Sequence, residues 1–179
     1  MSQTIELIDT IVNDADSFTK LRRDIHAHPE IAFQEQRTAD LVAQQLTNWG
    51  IPIHRGLGTT GVVGIIKNGT SDRAIGLRAD MDALPMTEHN TFSHASVNAG
   101  KMHACGHDGH TTTLLGVASA LKSMEKQLPV CVKLIWQPAE EGGGGGNVLC
   151  KAGVLDGRVG PKVNSIFGLH GWPGMKVGM

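Results

Sequence analysis

Apolar residues recur at intervals of three and four along two stretches near the start of the chain. The first stretch predicts a helix over Gln3–Ala27. The helix is expected to end before Pro29, because a residue that precedes proline avoids helical backbone angles. The second predicts a helix over Glu35–Trp49, which Gly50 would end. Two amphipathic helices are therefore expected before any strand.

The rest of the chain alternates short apolar runs with helical patterns. Strands are predicted over Gly61–Lys67, Ala74–Arg78, Val130–Trp136 and Val163–Leu169, and helices over Thr111–Met124 and Asn147–Ala152. The first two of these strands flank a turn-forming segment at residues 68–72 and are expected to pair with each other. Helices that alternate with short, mostly buried strands indicate an α/β fold built in layers.

The composition is that of an ordinary globular protein. The chain has 179 residues, of which 40% are hydrophobic and 18% are charged, and this length favours one domain. A net charge of -1 without blocks of like charge gives no reason to expect nucleic acid or an anionic membrane as a partner. No segment resembles a signal peptide or approaches the roughly 20 apolar residues of a membrane-spanning helix, so a cytoplasmic location is expected.

Potential metal donors are concentrated in three short segments. The densest is Met102–His110, which reads MHACGHDGH and contains Cys105 and His107. Further donors lie in Gln137–Gly146 (QPAEEGGGGG) and in Leu169–Pro173 (LHGWP). Thiolate, imidazole and carboxylate groups are the ligands that zinc and related divalent ions prefer in proteins. The sequence therefore indicates a metal-dependent hydrolase.

These donors fall at the ends of predicted strands or near the start of a predicted helix. Glu140 and Glu141 follow the third predicted strand, His170 follows the fourth, and Asp80 and Asp82 follow the second. Ligands of open α/β sheets gather at the carboxyl ends of strands, so these segments are expected to converge on one site.

Adjacent glutamates suggest two different roles. In regular structure Glu140 and Glu141 cannot point the same way. One carboxylate is therefore expected to bind metal, and the other to transfer protons to and from a water nucleophile whose pKa the metal lowers to roughly 7.

The remaining thiols and imidazoles have simpler interpretations. Three cysteines, an odd number, favour reduced thiols over disulfides. Cys131 lies in a predicted buried strand and Cys150 on a helical pattern, so both are expected to be inert small hydrophobes. His103 and His110 are expected to be structural or to support the ligands, and Asp108 to orient a ligand.

Five motifs in this order resemble the amidohydrolase branch of the aminoacylase-like di-metal peptidases, which includes hippurate hydrolases, N-acyl-amino-acid amidohydrolases and auxin-conjugate hydrolases. They are Leu21–Glu30 (LRRDIHAHPE), Leu77–Pro85 (LRADMDALP), Met102–His110, Gln137–Gly145 and Leu169–Pro173. Together they cover nearly the whole chain, and the full series is far more specific than any one motif.

The resemblance implies a three-layer αβα catalytic domain of the zinc-peptidase type with two divalent metal ions, for which zinc, manganese, cobalt and nickel are the options. The metal ligands that it implies are Cys105, His107, Glu141 and His170. It makes Glu140 the general base. It also makes one of Asp80 and Asp82, with Asp82 preferred, a catalytic residue that orients a ligand.

The implied reaction is hydrolysis of the amide bond of a small N-acyl amino acid, hippurate-like or N-acetylated. Family members are longer: beyond the position of Met179 they carry a lid or dimerisation domain and then a return to the catalytic domain with a last histidine ligand. Residues 1–179 are therefore expected to be the N-terminal part of the catalytic domain, with an unpaired sheet edge and one incomplete metal shell. A homodimer is an option for the full-length form.

Two other functions stay open at this point. One is a non-catalytic metal-binding fragment of such an enzyme. The other is a cysteine hydrolase in which Cys105 is the nucleophile and His107 or His103 is its base. A chelator would separate them, since only the metal-dependent hydrolase would lose activity.

Overall fold

The computed structural model describes residues 11–68 and 73–176 of the chain. The helices of this part are α1 (Ala15–Ala27), α2 (Gln36–Asn48), α3 (His107–Ser123) and α4 (Gly145–Lys151), and Glu125–Gln127 forms a short 3₁₀ turn. The strands are β1 (Ile53–Leu57), β2 (Gly61–Ile66), β3 (Ala74–Asp80), β4 (Cys131–Gln137) and β5 (Val163–Gly168). Among the described helices, none is long and apolar enough to cross a membrane.

The strands form one mixed sheet in the order β1-β2-β4-β3-β5. β1 pairs antiparallel with β2, and β2 pairs antiparallel with β4. β3 runs parallel to both β4 and β5. β4 is central, and all its residues are buried.

Alternate residues of β4 point into two separate apolar clusters. Leu134 and Trp136 belong to a large cluster shared with α2 and α3, whereas Ile135 belongs to a smaller one that includes Leu149 of α4. α1 contacts α3 and lies on the side of the larger cluster. The sheet therefore lies between two helical layers, and the predicted three-layer αβα fold is confirmed.

Most predicted elements are confirmed to within a few residues. The helix predicted over Gln3–Ala27 is observed as α1, and residues 3–10 lie outside the described part of the chain. The helix predicted over Thr111–Met124 begins earlier, at His107, after Gly106 in a left-handed conformation (φ 88°). The sequence does not predict β1, whose residues IHRGL include a histidine, an arginine and a glycine and show no clear apolar run.

The prediction about strand pairing is wrong. β2 and β3 were expected to pair, but β4 lies between them and pairs with both. β4 has the more continuous apolar sequence and takes the position in which both faces and both edges are covered. The turn composition of residues 68–72 predicts only that the chain changes direction there. It does not predict which strand pairs with β2.

Parallel pairing brings three strand ends to one side of the molecule. Asp80 at the end of β3 is in register with Gln137 at the end of β4, and Arg78 is in register with Gly168 at the end of β5. The segments that follow these strands therefore leave the sheet side by side.

β5 is an open edge of the sheet. Ile166 is 49% exposed and Phe167 is 59% exposed, and among the described residues β5 pairs with β3 alone. The expectation of an unpaired edge with uncovered apolar surface is met in this part of the chain.

A buried carboxylate anchors the turn that follows β4. Glu35 is fully buried, and its two oxygens accept hydrogen bonds from the Thr60 hydroxyl (2.6 Å) and the Ala139 N–H (2.8 Å). Burial raises the pKa of Glu35 and outweighs the lowering effect of these hydrogen bonds. Ala139 has a left-handed conformation (φ 52°), which a residue other than glycine adopts only when its surroundings hold it there. Glu35 thus fixes the backbone immediately before Glu140.

We expect Glu35→Ala to destabilise the protein by about 1–3 kcal/mol, because the Thr60 hydroxyl and the Ala139 N–H would lose their acceptor. Glu35→Gln keeps an acceptor oxygen for Ala139 and should cost less. Urea unfolding followed by circular dichroism measures both variants. A Glu35→Ala protein as stable as the wild type would contradict the anchoring role.

Candidate metal centre

His107, the first residue of α3, is completely buried. Its Nδ1 lies 2.9 Å from the backbone oxygen of Asp82, which can only accept a hydrogen bond, so Nδ1 carries a proton. Nε2 has no hydrogen-bond partner, and carboxylate oxygens surround it: Asp80 Oδ2 at 3.5 Å, Glu141 Oε1 at 3.7 Å and Glu140 Oε2 at 3.9 Å. This arrangement leaves a place for a proton or a metal cation.

Glu140 and Glu141 lie in the turn between β4 and α4. Both carboxylates reach His107 because this turn is not regular structure, in which neighbouring side chains would diverge. The side chain of Glu140 is 40% exposed and that of Glu141 is 20% exposed. Oε1 of Glu141 is buried without a hydrogen-bond partner. A buried acceptor suits a metal ligand, and an exposed carboxylate suits proton exchange with a substrate.

Asp80 and Asp82 hold different parts of the site. Asp82 accepts the Glu141 N–H through Oδ2 (2.9 Å) and holds His107 through its backbone oxygen. Asp80 instead accepts a hydrogen bond from Nδ1 of His110 through Oδ1 (2.8 Å). Asp82 therefore contacts two of the predicted ligands directly.

Cys105 and His170 complete the group around His107. Cys105 Sγ lies 3.4 Å from His170 Nε2, and the rings of His107 and His170 have centroids 6.0 Å apart. Donor atoms of Cys105, His107 and His170 lie within 4.8 Å of one another, and so do those of His107, Glu140 and Glu141. The structure thus brings the predicted ligands and the predicted base together around His107.

Carboxylates make the site strongly negative. Burial together with Glu141, Glu140 and Asp80 raises the pKa of Cys105 to about 11. Burial lowers the pKa of His107, but the hydrogen bond with Asp82 and the carboxylate charges outweigh it and raise that pKa overall. Both side chains therefore hold their protons more strongly than usual in the metal-free protein.

The residues present fit divalent cations. His107 Nε2 and Glu141 Oε1 are buried polar atoms without partners, and coordination to a cation would satisfy both. A cation would also offset the carboxylates and displace the protons of Cys105 and His107. This mixed donor set suits zinc, with manganese, cobalt and nickel as alternatives.

The geometry argues against a cysteine nucleophile. A catalytic thiol needs a lowered pKa, which an adjacent positive charge usually provides. The pKa of Cys105 is raised to about 11, and the histidine nitrogen within hydrogen-bonding distance belongs to His170 rather than to His103 or His107.

Sequence reasoning missed Arg78, although it lies within one of the motifs. Its guanidinium donates to Gln137 Oε1 (2.9 Å) and to Asp80 Oδ2 (2.7 Å), so it links the ends of β3 and β4. Burial raises the pKa of Asp80, but its hydrogen bond with His110 and the nearby positive charges lower it overall. A charged residue inside an otherwise apolar strand is the signal that marks Arg78 in the sequence.

The prediction of an inert, buried thiol holds for Cys131 and is wrong for Cys150. Cys131 is completely buried in β4, whereas Cys150 lies on the exposed face of α4. Helical spacing alone could not tell which face of this short helix points outward. None of the three cysteines, all of them in the described residues, forms a disulfide.

Asp108 and His103 do not belong to the donor groups found among the described residues. Asp108 accepts hydrogen bonds from Arg22 Nε and His26 Nδ1, each at 2.9 Å, and so ties α1 to the start of α3. Neither ring nitrogen of His103 has a hydrogen-bond partner, and burial lowers the pKa of this histidine to about 4.

The profile of peptidase family M20/M25/M40 matches residues 76–179. The chain is 44% identical over 171 residues to hippurate hydrolase of Campylobacter jejuni, which covers 94% of this chain and 43% of that protein. It is 39% identical over 174 residues to the N-acyl-L-amino acid amidohydrolase of Geobacillus stearothermophilus, covering 96% of this chain and 45% of that protein.

A solved structure has the same fold. The dinuclear metal-binding M20 peptidase of Bacillus subtilis superposes with a TM-score of 0.83 at 39% identity, over 89% of this chain and 44% of that one. The chain therefore spans less than half the length of these relatives.

Metal binding at neutral pH should release protons, because the Cys105 thiol, whose pKa is raised to about 11, must lose its proton to coordinate an ion, and the raised pKa of His107 favours further release from that ring. Affinity should accordingly strengthen as pH rises towards the Cys105 pKa of about 11. Titration calorimetry with Zn²⁺ in buffers of different ionisation enthalpy measures the proton count. Cys105→Ser should lower that count by about one. Binding without proton release would contradict the assignment.

Cys105 should react slowly with iodoacetamide in the metal-free protein, because its pKa of about 11 leaves little thiolate near pH 7. Exposed Cys150 should react faster, and buried Cys131 reports whether the fold is intact. The Cys105 rate should rise about tenfold per pH unit, and Zn²⁺ should suppress it. Peptide mapping by mass spectrometry follows each thiol. Fast labelling of Cys105 near pH 7 is the result that would count against the raised pKa.

Proposed function

Because the chain belongs to peptidase family M20/M25/M40, we propose that it forms part of a metal-dependent amidohydrolase that cleaves the amide bond of small N-acyl amino acids. The observation that carries this proposal is the position of His107, whose Nε2 has no hydrogen-bond partner. His107 belongs both to the donor group with Cys105 and His170 and to the donor group with Glu140 and Glu141. The names of two relatives, hippurate hydrolase and N-acyl-L-amino acid amidohydrolase, support hippurate-like or N-acetylated substrates.

Two divalent cations are the proposed cofactors. The residues that would hold them are Cys105, His107, Glu141 and His170. Bound there, a divalent cation supplies Lewis acidity, which lowers the pKa of water to roughly 7 and polarises a carbonyl group. The description of the Bacillus subtilis relative as dinuclear supports the number of ions.

Glu140 is the proposed general base. Its carboxylate lies at the rim of the donor group, 3.9 Å from His107 Nε2, and is the more exposed of the two glutamates. In the proposed reaction it takes a proton from the attacking water and returns it to the nitrogen of the leaving amino acid. Water is thereby added across the C–N bond, and the products are a carboxylic acid and an amino acid.

Asp82 positions the groups that do this chemistry. Its backbone oxygen holds the proton of His107 on Nδ1, and its carboxylate holds the backbone of Glu141. Burial raises the pKa of Asp82, but its hydrogen bonds with His107 and with the turn lower it overall. The carboxylate is therefore ionised at neutral pH and can accept the Glu141 N–H.

Metal binding without turnover is the second candidate function. His170, unlike His107, is exposed and follows the open edge strand β5. A ligand on an open edge is more mobile than one in the core, so one cation is expected to bind more weakly than the other.

Glu140→Gln should retain bound Zn²⁺, whereas Glu141→Gln should lose it, because only Glu141 is assigned as a ligand. Where the wild type hydrolyses hippurate, Glu140→Gln should lower turnover roughly 10²–10⁴-fold, the span of general acid–base catalysis. Metal content after dialysis and hippurate hydrolysis measure the two effects. Glu125→Gln, in the 3₁₀ turn, is the matched control and should change neither.

Equal metal loss in Glu140→Gln and Glu141→Gln would overturn the division of roles. A wild-type chain that holds metal but does not hydrolyse hippurate or N-acetyl amino acids would favour the second candidate. A chain that binds no divalent ion would overturn both.

A further inference from the structure

His110 lies between the sheet and the segment that carries His170. Its Nδ1 is 2.8 Å from Asp80 Oδ1, and its Nε2 is 2.9 Å from the backbone nitrogen of Gly171. The ring is only 7% exposed, and its centroid lies 4.6 Å from that of His170. His110 is thus a buried side chain that contacts the exposed end of β5.

The two hydrogen bonds determine the tautomer of His110. A backbone N–H can only donate, so Nε2 of His110 accepts from Gly171. The proton of the neutral ring is then on Nδ1, which donates to Asp80. Asp80, His107 and His110 have the spacing of a metal site, but both nitrogens of His110 are already used. The hydrogen bonding therefore excludes His110 as a ligand.

The segment that carries His170 has little other support from the core. β5 pairs with one strand, and residues 169–176 are exposed. The hydrogen-bonding partners of the His170 ring in the described part of the chain are Cys105 Sγ at 3.4 Å and the adjacent Gly171 oxygen at 2.7 Å. The hydrogen bond from the Gly171 N–H to His110 Nε2 joins this segment to a buried side chain, and the His170 ring also packs beside the buried rings of His107 and His110.

His110 is itself firmly held. Asp80, which accepts its Nδ1–H, is completely buried and also accepts a hydrogen bond from Arg78 Nη1 at 2.7 Å. Arg78 in turn donates to Gln137, which lies in β4. The series Gly171, His110, Asp80 and Arg78 thus connects the exposed segment to the two central parallel strands.

We infer that His110 is a positioning residue: it fixes the backbone beside His170 so that this imidazole meets Cys105 and His107 in the metal centre. The inference rests on the proposed metal-binding function. Residues that orient ligands from outside the coordination shell typically change metal affinity by roughly 10–100-fold. His110 should have an effect of this size without touching the metal.

Two substitutions separate hydrogen bonding from packing and from ligation. In His110→Gln, the side-chain amide can donate to Asp80 and accept from Gly171, as the imidazole does. In His110→Phe, the ring volume is kept and both hydrogen bonds are lost. Co²⁺ is the probe, because a thiolate bound to Co²⁺ gives a charge-transfer absorption that reports the Cys105 contact.

The positioning role predicts that His110→Phe binds Co²⁺ roughly 10–100-fold more weakly than the wild type and that His110→Gln restores most of the affinity. Loss of affinity in His110→Gln equal to that in His110→Phe would overturn the inference in favour of ligation. Wild-type affinity in both variants would overturn it in favour of packing. Thermal unfolding shows whether each variant is folded.

A measurement on the metal-free proteins tests the inference independently of metal binding. Nitrogen-15 NMR of the histidine rings should show the Nδ1–H tautomer for His110, identified by its absence in His110→Gln. The Gly171 amide should exchange slowly in the wild type and in His110→Gln, and at least tenfold faster in His110→Phe. An Nε2–H tautomer, or a Gly171 amide that exchanges at the same rate in all three proteins, would overturn the inference. If these results hold but the wild type binds no Co²⁺, the proposed function fails and the structural connection through His110 stands.

Discussion

Carboxylates crowded around the buried His107 impose the constraint on which the rest of the site depends. Asp80, Asp82, Glu140 and Glu141 each bring an oxygen within 3.9 Å of a nitrogen of this imidazole. A buried carboxylate without compensation costs several kcal/mol, so the buried Asp80 and Asp82 need protons, hydrogen bonds or a cation nearby, and the partly exposed Glu140 and Glu141 add further negative charge. Hydrogen bonds and positive charges from the surrounding residues compensate part of this negative charge, and a divalent ion would compensate the remainder.

The sheet produces this concentration of charge. β3 and β4 end in register, and each is followed by acidic residues, so their carboxylates come together although they are distant in sequence. α3 begins at the same place, and its positive N-terminal end faces the carboxylates. His107 is the first residue of that helix and therefore enters the site from a rigid element. A parallel sheet with a helix starting at its carboxyl edge thus accounts for both the charge and the ligand.

Local patterns in the sequence predicted most of the elements, and the predicted donor residues lie together around His107, because helix spacing, apolar runs and clustered donors are properties of short segments. They did not predict contacts between distant segments. The position of β4 between β2 and β3 depends on which strand can be buried on every side. The anchoring of Ala139 by Glu35 joins residues far apart in the chain, and nothing near Glu35 marks it as a buried acceptor. The motif resemblance located the donor segments, but the hydrogen bonds that orient the donors had to come from the structure.

The candidate ligands differ in how firmly the fold holds them. His107 is buried at the start of a helix, whereas His170 follows an edge strand and is exposed. A cation that binds only the folded state stabilises it by RT ln(1 + [L]/Kd), where [L] is the free cation concentration, but ordering a mobile ligand subtracts from the binding free energy. The negative charge around His107 therefore attracts a cation whether or not His170 is in place. On the inference drawn above, the affinity for the cation depends on the hydrogen bonds that run from Gly171 through His110 to Asp80 and fix the segment after β5 to the sheet. The same hydrogen bonds determine whether Cys105 and His170 can bind the cation at the same time.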